Sequence, residues 1–238
     1  MFEIITAIDI NSFFATIFGE NAWIAEKVIL ATWQTIYMIA ISTFLSYLLG
    51  LPLGVILVVT EEGHILENKA INQTLGVIVN IVRSIPFIIF LILIIPLTRL
   101  IMGTYIGTAA SIVPLTLAAV PFVARLVETS LKEIEWGLIE AALSMGANAW
   151  QIIYKVLLPE AMPSIVLGTA ITTINLIGYS AMAGIVGGGG LGTLAYYYGY
   201  QRYEYAILWT TVVILIIMVQ GIQVIGDKAT ANIVNRRR

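Results

Sequence analysis

The stretch that decides the reading of this 238-residue chain is residues 140–159, EAALSMGANAWQIIYKVLLP. It is a polar-flanked interruption in an otherwise apolar sequence. Glu140-Ala141-Ala142-Leu143-Ser144-Met145 consists of good helix formers, and Gly146-Ala147-Asn148 follows with residues that tolerate a sharp turn. A helical pattern then resumes over 149–158, where Trp150, Ile153, Tyr154 and Leu157 fall at i, i+3, i+4 and i+7 and share one face. Pro159 and Pro163 are expected to stop this piece and open the next helix, because proline suits a first turn and not an interior. Taken alone, the pattern fits an amphipathic linker lying on a membrane surface as well as it fits a compact docking knob.

The flanking sequence is membrane sequence. Charged residues make up 11% of the chain and hydrophobic residues 59%, with a mean hydropathy of +0.95. A soluble domain carries about 25% charged residues, so the chain reads as an all-α integral membrane protein. With about 20 residues needed per span, it divides into five, at 28–59, 74–96, 108–131, 163–186 and 205–226. Nothing of useful size remains for a soluble domain. The absence of cysteine excludes disulfides, a thiol nucleophile and a thiolate metal site. The net charge of −2 gives no sign of a nucleic-acid partner.

The remaining segments follow from the spans. Residues 1–27 form an amphipathic segment with Phe13, Phe14, Ile17 and Phe18 close together. It lacks the basic start of a secretory signal and is expected on the outer face. The first span is longer than a membrane needs. Its Gly50 and Gly54 permit close helix contact, and Pro52 is expected to kink it. Polar residues 61–72 and a short loop at 99–107 bracket the second span. The glycine run 187–192 is expected to be a flexible outer loop, followed by tyrosine-rich sequence. A basic tail, 229–238, closes the chain.

Basic residues orient the topology. Lys69, Lys132, Lys155, Lys228 and the terminal arginines fall on one side, and the smaller set Lys27, Arg99 and Arg202 on the other. The larger set belongs in the cytoplasm. That places the N-terminus outside, the C-terminus inside, and residues 140–159 inside.

Candidate functional side chains are few. His64, the sole histidine, sits in a polar loop and reads as solvated. The carboxylates are scattered, with no pair arranged for acid–base work. Gly187, Gly189 and Gly192 satisfy G-x-G-x-x-G in form, but a membrane helix and not a strand precedes them, so no nucleotide is expected there. Arg83 lies within an apolar run, where a charge must face protein or water. It either snorkels toward the cytoplasmic interface or makes a structural ion pair near the inner gate, with Glu128 the candidate partner. Gly168, Thr172, Asn175, Tyr179 and Met182 recur at steps of four and three, forming a polar stripe on one helix face. Plain helix packing accounts for such a stripe as readily as a translocation path does.

Glu-Ala-Ala at 140–142, Gly146 and Leu158-Pro159 resemble the cytoplasmic coupling loop of ATP-binding cassette (ABC) importer permeases, with Val156 where that family has isoleucine. Gly178-Tyr179-Ser180-Ala181-Met182, the later Tyr198-Gly199-Tyr200, Asn80 to Phe87 around Arg83-Ser84-Ile85-Pro86, and Ile112-Val113-Pro114 resemble the methionine-importing members of that class. The likeness covers about 28–227. It implies a type I ABC importer permease of five transmembrane helices, working as a homodimer in a bacterial inner membrane. Two cytosolic ABC ATPase subunits would dock on the coupling loops, spanning 136–159, through Glu140, Ala141, Ala142, Gly146, Leu158 and Pro159. An extracytoplasmic methionine-binding protein would deliver substrate, and Thr172, Asn175, Tyr179 and Met182 would line the path or gate. ATP with magnesium would be bound by the ATPase partner, so this chain would carry no cofactor and be no enzyme. Two alternatives stay open: the same family importing another amino acid or a methionine-containing peptide, and an ion-coupled secondary transporter. The latter class typically shows intramembrane carboxylates and paired broken repeats.

Overall fold

The computed structural model describes residues 23–235, and every regular element among them is helical. Helix α1, Trp23–Val59, runs for 37 residues with Pro52 inside it, so the proline does not end the helix. It starts before residue 28, within the segment expected to precede the membrane. The rest of that segment, with its cluster of phenylalanines, lies outside the described residues, as do the terminal arginines. Against α1 lies α5, Thr108–Lys132. The two backbones meet closely because α1 offers glycine there. A Cβ at Gly50 would stand 2.8 Å from the Val120 carbonyl oxygen, and one at Gly54 only 2.6 Å from that of Ala124.

The second expected span, 74–96, is not one straight helix. Asn68 caps α2, Lys69–Ser84, by accepting a hydrogen bond from the Ile71 N–H. The chain then breaks before α3, Phe87–Leu93, and the two helices meet at 105°. Pro86 explains the break. It has no N–H to continue the ladder, and it drives Ile85 to extended backbone, φ −84° and ψ 123°. A further short helix, α4, Ile95–Met102, takes up the first part of the expected loop and ends on Gly103 in the left-handed conformation.

The segment after α5 forms α6, Trp136–Ser144, a left-handed turn at Gly146, and α7, Ala149–Ile152. A π-helical turn, Ile153–Leu157, then runs directly into α8, Leu158–Ile185. The expectation that Pro159 and Pro163 stop the helix is therefore corrected. The Leu158 N–H reaches back to the Ile153 carbonyl across the wide turn, and Pro159 falls in the first turn beyond it, where a missing N–H is tolerated. Residues of α9, Gly190–Leu194, a second π turn, Ala195–Gln201, and α10, Tyr205–Asn235, complete the chain. Among the described residues four helical stretches are long and apolar enough to cross a membrane, and the bent α2–α3 pair makes a fifth if counted as one span.

Among the described residues four packed clusters tie these helices together, the smallest of them Leu57, Val79 and Ala124 between α1, α2 and α5; three others are larger. One joins α1, α5 and the segment around α6–α8 through Val58, Val127, Leu131, Ile139, Ile152 and Leu157. A second lies midway, where Met38, Phe87, Leu115 and Leu176 meet. The third, around Val28, Leu191 and Ile207, lies at the far end. There the glycine run is no flexible loop. Gly188, Gly190 and Gly192 are buried. Gln34 and Thr35 side chains accept hydrogen bonds from the Gly190 and Leu191 N–H groups at 2.9 and 2.8 Å. Gly189 and Gly190 both have positive φ, and a Cβ on either would meet a threonine hydroxyl at 2.6 Å. The run is a close-packed corner that only glycine fits.

Candidate functional site

The segment 136–159 is a knob seated on the first core. After α6, the Gly146 N–H bonds the Leu143 carbonyl at 2.9 Å and the Ala147 N–H bonds that of Ala142 at 3.1 Å. Asn148 and Gln151 close a capping box, each side chain accepting from the other's backbone N–H at 2.9 Å. The expected shared face of the second helix is split by the π turn, which shifts the register by one residue. Ile153 and Leu157 turn into the core, while Trp150 and Tyr154 face out and stack at 5.9 Å. Ala142 also turns inward, at 4% exposure, so it offers no surface for another protein. Glu140, Ala141, Gly146 and Pro159 are exposed, and Leu158 is half-buried. A Cβ at Gly146 would meet nothing within 4 Å, so the left-handed φ of +78° alone demands glycine there. The knob also leans on the turn after α1. His64 is half-buried against Trp136 and not simply solvated.

Above this knob, α5 carries a charged network. The Arg125 guanidinium pairs with Glu128 and donates to the Asn80 side chain of α2 at 2.8 Å. The other Glu128 oxygen receives Lys132 at 3.1 Å, and Lys132 also bonds Glu61 at 2.9 Å. Glu128 is thus committed to Arg125 and Lys132, and the expected Arg83–Glu128 pair does not form. Arg125 was the residue to find. Its i, i+3 and i+7 relation to Glu128 and Lys132 places all three on one helix face. Arg83 is exposed at the last turn of α2, fourteen residues beyond Lys69. At 1.5 Å per residue that is about 21 Å along the helix from Lys69.

The stripe on α8 does not form one continuous lining. Thr172 is sealed, with its hydroxyl donating to the Gly168 carbonyl at 2.8 Å. Gly168 faces Tyr47 of α1, whose hydroxyl would stand 3.3 Å from an added Cβ. This lower part of the stripe is helix packing within the subunit. Asn175 and Met182 emerge on the surface. Tyr179 lies between, its ring stacked on Phe87 with centroids 4.4 Å apart and planes within 2°. The break at Pro86 delivers Phe87 to that position. The stripe splits because its residues face different surroundings: Gly168 looks onto Tyr47 of α1, Tyr179 stacks on Phe87 of α3, and Asn175 and Met182 reach the surface.

A bent second span, a knob seated on the transmembrane core and a helix whose upper half carries surface-reaching polar and thioether groups define a membrane transport subunit. The chain belongs to the binding-protein-dependent transport system inner membrane component family, whose model matches residues 50–238. It is 53% identical over 223 residues to the probable D-methionine transport system permease protein MetI of Vibrio cholerae, covering 94% of this chain and 99% of that one. It is 45% identical to the methionine import system permease protein MetP of Bacillus subtilis, covering 87% and 93%. Among solved structures, an inward-facing conformation of the MetNI methionine ABC transporter superposes with a TM-score of 0.86 at 50% identity, covering 87% of this chain and 96% of that one.

Proposed function

We propose that this chain is the permease subunit of an ABC importer that moves methionine into the cell. Likeness to the methionine permeases along nearly their whole length supports the substrate. The observation that carries the mechanism is the construction of the knob. Its exposed face, Glu140, Ala141 and Gly146, is bound through Ile139, Ile152, Ile153 and Leu157 to the helices that cross the membrane. A push on that face is delivered to α1, α5 and α8 together, because close-packed cores transmit displacement and do not absorb it.

On this reading two copies of the chain form the path, and a cytosolic ATPase docks on each knob. A binding protein presents methionine on the outer side. The ATPases bind ATP with magnesium and do the hydrolysis, while this chain contributes conformational coupling alone. The N-terminus lies outside and the C-terminus in the cytoplasm, following the basic-residue asymmetry. Rocking of the two copies exposes the path to alternate sides. Asn175, Tyr179 and Met182 serve as its gate, with Thr172 holding α8 in place behind them. The test is Gly146→Leu in the purified complex. Forcing a branched side chain into left-handed backbone costs about 1–2 kcal/mol and re-aims the knob. Uptake is expected to fall with the permease still in the membrane. Normal uptake and normal ATPase co-purification would rule out the docking role.

A further inference from the structure

The helix break at Ile85–Pro86 makes a small cleft of about 140 Å³, lined by Val82, Arg83, Phe87, Phe90, Phe122 and Tyr179. Four aromatic rings and one permanent cation share this space. Arg83 is exposed and, among the described residues, has no hydrogen-bond or ion-pair partner. Its one candidate carboxylate, Glu128, is held by Arg125 and Lys132. No carbonyl of its own helix end accepts from it. At about 21 Å along α2 from Lys69, within a hydrocarbon layer of about 30 Å, an unpaired guanidinium is expensive. Such a charge marks a water-filled path or meets a transient anion.

From this juxtaposition we propose that Arg83 is a substrate-recognition residue of the translocation path, taking the carboxylate of a free apolar amino acid while the rings of Phe87, Phe122 and Tyr179 face its side chain. The proposal rests on the importer reading above. Guanidinium suits a carboxylate because its planar fork donates two parallel hydrogen bonds. Aromatic walls suit an apolar or thioether side chain. The cleft holds one functional group and not a whole ligand, so contact is brief, as a conducting path requires.

The experiment uses the complete permease–ATPase complex in vesicles, with the binding protein outside the path entrance. Arg83→Gln is expected to lower ATP-driven methionine uptake at least about tenfold, the loss of one charge-assisted contact, with the ATPase still co-purifying. Arg83→Lys, which keeps the charge, is expected to fall between. Ala118→Cys, in the cleft lining but outside the proposed contacts, should be protected from alkylation by methionine but not by its carboxamide, and Arg83→Gln should abolish that protection. Equal protection by acid and amide, protection that follows anionic lipid content, unchanged uptake by Arg83→Gln, or failure of that variant to assemble would each overturn the proposal. Absence of methionine uptake by the unmodified complex would instead sink the importer reading itself.

Discussion

The imidazole of His64 meets the indole of Trp136 edge to face, with ring centroids 5.5 Å apart and planes at 76°. The contact joins the turn after α1 to the first residue of the knob. His64 Nδ1 accepts a hydrogen bond from the Ile65 N–H at 3.0 Å, which requires that nitrogen to be unprotonated.

A pH dependence follows. Burial pushes the His64 pKa below its usual 6.5. The Glu61 charge opposes that shift and Lys132 adds to it. A histidine whose folded pKa is depressed stabilises fully above its unfolded value, and that contribution is lost as pH falls below 6.5. The knob is therefore expected to seat less firmly as pH falls progressively below 6.5. Edge-to-face ring pairs contribute about 0.5–1.5 kcal/mol, which sets the scale of the loss. Hydrogen exchange of the α6 amides, measured across this range, should rise on acidification in the native protein and stay flat in His64→Gln. A flat profile in both would contradict the assignment.

The network around Glu128 gives a sharper energetic expectation. Glu128→Gln keeps the shape but leaves Arg125, with a quarter of its side chain exposed, facing a neutral group beside Asn80. Breaking a buried pair by removing one partner costs about 3–5 kcal/mol, and partial exposure of Arg125 places this case at the low end. Thermal unfolding of the detergent-solubilised protein should show a clear drop in midpoint. Glu62→Gln, whose pair with Lys69 is exposed and 3.8 Å long, should leave the midpoint almost unmoved.

Close approach of α1 and α5 predicts a steric penalty at a position without charge. Gly54→Ala places a Cβ where the Ala124 carbonyl oxygen lies 2.6 Å away, and overpacking of this kind costs about 1–3 kcal/mol. Gly221→Ala, where a Cβ would meet nothing within 4 Å, is the matched control in α10, another long apolar helix. Unfolding midpoints should separate the two, with Gly54→Ala lower. Equal midpoints would show that α1 yields at no cost.

Much of this was legible in the residues. Span positions followed from hydropathy, and a close helix contact at Gly50 and Gly54 followed from their spacing, while the partner, α5, came only from the fold. The knob at 136–159 was placed by its composition and its glycine. What periodicity could not give was register after a π turn, because one extra residue rotates everything beyond it. That is why Trp150 and Leu157, expected on one face, point apart. Partner choice was equally hidden. Glu128 has three basic residues within reach along the sequence pattern, and only the fold decides that Arg125 and Lys132 take it and Arg83 does not. Thr172 shows a third limit. A stripe on one helix face says which residues align, and the surroundings each one faces decide which of them are buried.

Topology can be tested at positions chosen from the structure. Gly190 is buried in the glycine corner and makes a poor probe of sidedness. Tyr200 is 67% exposed, and Glu62 is exposed at the opposite end of α1. A cysteine at 200 should react with an impermeant reagent added to intact cells. A cysteine at 62 should react only once the membrane is opened. The reverse pattern would invert the proposed orientation.

The central claim is that this chain carries methionine across a membrane at the expense of ATP hydrolysed by a partner. The most direct measurement is uptake of labelled methionine into vesicles containing the purified permease–ATPase complex, with the binding protein outside and ATP inside. The account predicts accumulation against a gradient that stops without ATP and falls when Gly146 is replaced by leucine. Accumulation that continues without ATP and collapses instead with the ion gradient, or uptake of other amino acids with methionine excluded, would contradict it.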